Sequence, residues 1–178
     1  MRRVEAKALD RAERLLPPGF DARRELNIAL GILACAAGVL VLGFLLAYLS
    51  GHGQMYDYAS SYQVRVERPG AVFPSFESMM VFGRAAFILA HAAYIWLLFR
   101  YVSYHYSGGS RAAYTMRRLK NRWEFPVRCL AFPLAGTLLA QLCMRLLTLG
   151  CGWIYMNCTV ERWLPEDGWA RVIHLVTH

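Results

Sequence analysis

The run LNIALGILACAAGVLVLGFLLAYL, Leu26–Leu49, is 24 residues long and carries no charge. About 20 apolar residues, rising 1.5 Å each, cross the roughly 30 Å of hydrocarbon in a bilayer. Two more such runs follow. One covers Met79–Val102, interrupted by Arg84 and His91 with Arg100 near its end; the other covers Val127–Met156 and contains Arg145. The closing stretch WARVIHLVTH is too short to cross. The chain is 57% hydrophobic and 18% charged, against about 25% charge in soluble domains, so it is short of the polar surface that water requires. These features predict an all-α integral membrane protein with three transmembrane helices.

The predicted organisation is an amphipathic N-terminal segment (1–25), a first span (26–49), an aromatic outer loop (50–78) and a second span (79–102). A basic loop (103–126), a third span (127–156) and an outer tail (157–178) follow. A cleaved leader is not expected, because secretory apolar regions are short and lie near the start, whereas 25 polar or mixed residues precede this one. The first span reads as a retained anchor.

Charge sets the expected orientation. Residues 1–25 hold seven Lys/Arg and five acids, and the stretch from Arg100 to Arg128 holds seven Lys/Arg and one acid. The two other connecting segments, 50–77 and 157–178, each hold two Arg and three acids. Lys and Arg mark the cytoplasmic side. Basic and neutral segments therefore alternate as three crossings require, with the N-terminus cytoplasmic and the C-terminus outside, and the location implied is the bacterial cytoplasmic membrane. The same asymmetry accounts for the pI near 9.5, since anionic headgroups face the basic side. No nucleic-acid partner is expected; membrane lipid is.

The densest charge lies in YTMRRLKNRWEFPVRC, Tyr114–Cys129. Ser110 is placed to cap a helix here, and Pro126 to stop it or to begin the next. Ala112, Met116, Leu119 and Trp123 recur every three or four residues as one apolar stripe, while Arg111, Arg117, Arg118, Lys120 and Arg122 cover most of the rest. The loop is therefore expected to form an amphipathic helix. It either lies in the headgroup zone or docks Met116, Leu119 and Trp123 into a groove on a cytoplasmic partner. Val4, Ala8, Ala12 and Leu15 likewise share a face of an N-terminal helix that ends at Pro17-Pro18-Gly19.

The order of parts resembles the first half of the permease of an ABC exporter of the second export class. The corresponding pieces are Val4–Leu16, Leu26–Leu49, Met79–Val102, Arg111–Phe125 and Val127–Met156. The stretch from Tyr114 to Leu119, with Asn121-Arg122-Trp123-Glu124 and Arg128-Cys129, also resembles small membrane proteins of bacterial ABC transport systems. The resemblance implies an export or resistance complex in which the loop helix couples to a separate ABC ATPase. Met116, Arg117, Arg118, Leu119, Arg122 and Trp123 would form the partner-binding surface, beside another membrane subunit. A full permease usually has six spans and this chain has three, which fits an accessory or half-size subunit.

Polar residues inside the spans form a second candidate site. Glu77, Arg84 and His91 are seven apart on one helical face, and Gln141 and Arg145 are four apart. If the faces meet, the five make an intramembrane cluster able to receive an anionic headgroup or a peptide carboxylate. Measured along the spans, Arg84 lies about 8 Å and Arg145 about 27 Å from the respective entry points, so both are also placed to snorkel outward.

The aromatics of the outer segments, His52, Tyr56, Tyr58, Tyr62, Phe73 and Phe76 with Trp153, Tyr155, Trp163 and Trp169, read as an interface belt. Cys35, Cys129, Cys143, Cys151 and Cys158 lack the clustering that metal ligation wants, and no metal, cofactor or catalytic residue is expected. The chain has no GxxxxGK[ST] phosphate loop, so ATP hydrolysis would fall to a partner chain. A non-transport membrane adaptor or assembly factor is the alternative function. A small integral-membrane enzyme ranks below both, because no nucleophile and base converge.

Overall fold

The computed structural model describes residues 16–17, 20–59, 64–68, 72–107, 124–164 and 168–177. These residues are predominantly helical. Three helices are long and apolar enough to cross a membrane, over Ala22–Gln54, Val81–Tyr104 and Pro126–Cys158. Residues 1–15 and 111–123, which hold nearly all of the amphipathic helices expected before Pro17 and across 111–125, lie outside the described residues, whereas Glu124 and Phe125 begin the third long helix.

Helix α1 runs Ala22–Gln54, starting earlier than the apolar run because Asp21 caps it. The Asp21 carboxylate accepts the Arg23 amide at 2.9 Å, and its carbonyl accepts the Glu25 amide at 3.0 Å. A side-chain acceptor at this position satisfies an amide that the helix leaves without a partner. After α1, strands β1 (Tyr56–Ala59) and β2 (Val64–Glu67) pair antiparallel, with Tyr56 opposite Glu67 and Ala59 opposite Val64. The segment expected as a loop thus contains a hairpin. It also contains the short helix α2 (Phe76–Met79), which leads through Met80 into α3 (Val81–Ser107).

Helix α4 spans Glu124–Cys158. Pro126 falls in its first turn, where an amide is not needed, so it begins this helix. Pro133 lies in the interior and leaves the Cys129 carbonyl without its helical donor. A 3-10 turn, Glu161–Trp163, and the helix α5, Gly168–Thr177, complete the chain.

The residues group into two compact units, Met1–Cys35 with Ile88–Gln141 and Ala36–Phe87 with Leu142–His178. In the first, Leu16, Ala22, Tyr101 and Cys129 form a buried cluster against Phe20, Leu98 and Phe132. Tyr94 is also buried and donates its hydroxyl hydrogen to the Ala29 carbonyl at 2.9 Å. Its ring rests on Gly136, where an added Cβ would come within 2.5 Å of Cε1. Only glycine leaves room there.

In the second unit, small residues let α1 and α3 approach closely. A Cβ on Gly83 would meet the Leu40 side chain at 2.7 Å, and one on Gly43 would meet Phe82 at 3.1 Å. Phe44, Tyr48, Phe73, Phe76, Tyr155 and Trp163 are all buried. They pack ring against ring, for example Phe76 on Tyr155 with centroids 5.4 Å apart. Tyr155 donates to the Pro74 carbonyl at 3.1 Å, and Thr159 donates to the Tyr48 hydroxyl, 3.2 Å from His52 Nε2. Of the aromatics read as an interface belt, Phe73, Phe76, Tyr155 and Trp163 are buried in the core of this folded cap and His52 and Tyr56 are half-buried, while Trp153 and Trp169 are exposed. Helix α5 closes this cap: Val172 is buried against Gly152, and Gly168 meets the Met156 thioether.

At the base of the hairpin Arg68 grips Asp57 with two bonds, Nε to Oδ2 at 2.9 Å and Nη2 to Oδ1 at 2.8 Å. The Arg68 hydrogen bond holds the Asp57 carboxyl below the usual carboxylate range. A lowered native pKa means that the unfolded chain binds the proton first as pH falls. The clasp is therefore intact above the ordinary carboxylate pKa and is lost as pH drops through the lowered one. Carbon-13 titration of the Asp57 carboxyl is expected to show a depressed midpoint that returns to the ordinary range in Arg68→Ala.

Candidate functional site: a buried carboxylate held by two residues of the second span

Glu25 sits in the first turn of α1 and is 1% exposed. Its carboxylate meets two consecutive residues of α3. Arg100 Nη2 donates to Oε1 at 2.6 Å and Nη1 approaches Oε2 at 3.4 Å, while the Tyr101 hydroxyl donates to Oε2 at 2.9 Å. Phe20 covers the group from the segment before α1. The Arg100 guanidinium lies 5.3 Å from its ring centroid, and the Tyr101 and Tyr104 rings meet it edge-on at 4.7 and 4.9 Å.

Each element contributes for a local reason. An acid at the start of α1 and a cation near the end of α3 both match the helix dipoles. The apolar stems of Arg100 and Tyr101 continue the buried surface that holds Leu16, Ala22 and Cys129. A buried carboxylate is tolerable only when paired and hydrogen-bonded, and here both oxygens are engaged. Among the described residues no group of His, Cys, Asp and Glu is arranged to hold a metal ion. The arrangement is a clamp: it joins the start of α1 to the end of α3, and the adjoining cluster takes in Cys129 near the start of α4. The residues between α3 and α4, 108–123, are those of the basic loop.

An apolar recess of about 140 Å³ lies in the same unit, lined by Leu26, Leu30 and Leu33 of α1, Tyr94 of α3 and Phe132 and Leu139 of α4, among others.

The residues singled out from the sequence are placed differently. Met116, Arg117, Arg118, Leu119, Arg122 and Trp123 lie outside the described residues. Of the intramembrane set, His91 is half-buried and Gln141 exposed in the first unit, while Glu77, Arg84 and Arg145 are exposed in the second. Glu77 belongs to the short helix α2 and Arg84 to α3. Among the described residues neither arginine makes a salt bridge, whereas Arg68 pairs with Asp57 and Arg100 with Glu25. The Glu25–Arg100–Tyr101 group escaped the sequence reading. Its signal was there, an acid just before one long apolar run and a base near the end of the next.

Set beside known proteins, the chain matches no family model, no curated protein and no solved structure.

Removing Glu25 alone strands a mostly buried guanidinium. Glu25→Ala is expected to cost about 3 kcal/mol, the lower end for a broken buried pair because Arg100 remains 27% exposed. Glu25→Leu combined with Arg100→Met is expected to recover most of that loss. Thermal unfolding in detergent, taken as a double-mutant cycle, reads both numbers.

Proposed function

We propose that this chain is a membrane subunit of an ABC-type export or resistance complex, multi-pass in the bacterial cytoplasmic membrane, with its N-terminus and basic loop on the cytoplasmic side. The loop helix 111–125 docks a separate ATPase through Met116, Leu119 and Trp123, with Arg117, Arg118 and Arg122 at the rim. The observation that carries this reading is the placement of an apolar-striped, strongly basic segment between two helices long and apolar enough to cross a membrane. The order of parts and the Tyr114–Cys129 motif resemble ABC permease components, and they supply the identity of the partner.

The clamp supports the reading mechanically. A loop that transmits force between an ATPase and membrane helices needs stiff roots. The end of α3 is held through Arg100 and Tyr101, and the start of α4 packs through Cys129 against the same cluster. The ATPase then moves the helices with the loop instead of bending the loop alone. The chain itself performs no hydrolysis in this scheme.

Purification from native membranes in mild detergent tests the docking. The wild-type chain is expected to bring down an ABC ATPase, and the Met116/Leu119/Trp123→Ala chain is expected to lose it, as apolar anchors in a groove carry most of the binding energy. No ATPase with either chain would leave the loop as an interfacial helix and make the membrane-adaptor function the better account.

A further inference from the structure

We infer that the apolar recess of the first unit holds one acyl chain of an anionic phospholipid, whose phosphate is bound between Arg23 of α1 and Arg128 of α4. Buried Ala29 and Tyr94 lie at the back of the recess, and exposed Leu26, Leu30 and Leu139 stand at its rim. The one polar side chain of its lining is Tyr94, whose hydroxyl is already given to the Ala29 carbonyl. A space of about 140 Å³ with no polar partner to offer holds no water; apolar cavities of this size bind small hydrocarbons instead.

The recess is drawn out along the helices. Ala22 and Cys129 share one buried cluster, and Tyr94 touches both Ala29 and Gly136. The step between these contacts is seven residues on each helix, so α1 and α4 run parallel and in register here. The lining extends over Leu26–Leu33 on α1 and Phe132–Leu139 on α4, about 10 Å on each. That volume over that length leaves room for one hydrocarbon chain and not for a helix, which with its side chains is about 10 Å across.

Charge identifies the other end of the ligand. On α1, Arg23 precedes Leu26, Leu30 and Leu33 at spacings of three, four and three; on α4, Arg128 precedes Phe132, Ala135 and Leu139 at spacings of four, three and four. Residues so spaced share one helical face. Each arginine therefore stands about one turn before the recess, on the stripe that lines it, and the parallel register sets both at the same end. Arg23 is exposed and Arg128 half-buried. Exposed Arg24 adds a cation at this end, Arg100 and Glu25 neutralise each other, and Asp21 is the remaining acid among the described side chains. Arginine takes phosphate oxygens through paired charge-assisted hydrogen bonds. Arg23 also stands just ahead of the uncharged run that begins at Leu26, the kind of border at which a headgroup joins its acyl chains. A second copy seated here in the same membrane orientation would bring its own arginines against these. The inference rests on the three long helices crossing a membrane and not on what the basic loop docks.

Native mass spectrometry of the full chain, released from detergent after titration with phosphatidylglycerol or with phosphatidylcholine of the same acyl chains, tests it. One phosphatidylglycerol is expected to be retained per chain, about tenfold more tightly than phosphatidylcholine. Arg23→Gln with Arg128→Gln is expected to erase that preference. Arg23→Lys with Arg128→Lys is expected to keep most of it, which separates lost charge from lost folding. Ala135→Phe, which fills the recess from an exposed position, is expected to weaken retention of both lipids about tenfold. Equal retention of the two lipids by the wild-type chain, a preference that survives the Gln substitutions, or retention indifferent to Ala135→Phe would each overturn the inference. So would a lipid-free pair of chains that Ala135→Phe separates, which would give the recess to a second copy. The Met116/Leu119/Trp123→Ala chain is expected to retain the lipid as the wild type does, so failure of the loop's docking and failure of this site give different results.

Discussion

Water is absent from the hydrocarbon layer, so every polar group carried into it has to find its partner inside protein. That constraint orders what this chain does with its polar atoms. The backbone answers by forming three long helices, whose interior amides and carbonyls are matched within each segment except at Pro133, which leaves the Cys129 carbonyl without a donor. Tyr94 answers by giving its hydroxyl to the Ala29 carbonyl. Glu25, at the edge of the first apolar run, answers with Arg100 and Tyr101.

The clamp illustrates why a costly interaction is kept. Burying an ion pair contributes little net stability, because desolvation offsets most of the attraction. What it contributes is a fixed register between α1 and α3, which apolar contacts between two smooth helices would leave free to slide. It fixes that register at the end where the Tyr101 and Cys129 cluster gathers the roots of the basic loop. If the loop is the docking element proposed for it, the same residues also stiffen its roots.

Much of the helical framework was legible in the sequence, because a long uncharged run such as Leu26–Leu49 has few other uses. The ends were less legible. Asp21 draws α1 back to Ala22, and the first-turn tolerance of proline draws α4 back to Glu124. The hairpin was hidden by the aromatic content of its loop, although Val64-Arg65-Val66-Glu67 alternates with the period of a strand. The aromatics themselves were legible as a cluster but not as a cap, since burial depends on Pro74, Tyr155 and α5 returning from distant parts of the chain. Glu25 and Arg100 were only counted among the charges of the segments that flank the spans. Their pairing depends on the register of two helices, which local sequence does not encode.

The account rests on three crossings that leave the N-terminus and the basic loop on one side and the C-terminus on the other. Single cysteines at Ser110 and at Thr177, in a chain otherwise free of cysteine, report this through a membrane-impermeant maleimide applied to intact cells. Thr177→Cys is expected to label from outside, and Ser110→Cys only after the membrane is opened. Labelling of both positions from the same side, or of Ser110→Cys alone in intact cells, would contradict the topology on which the clamp and the loop are interpreted.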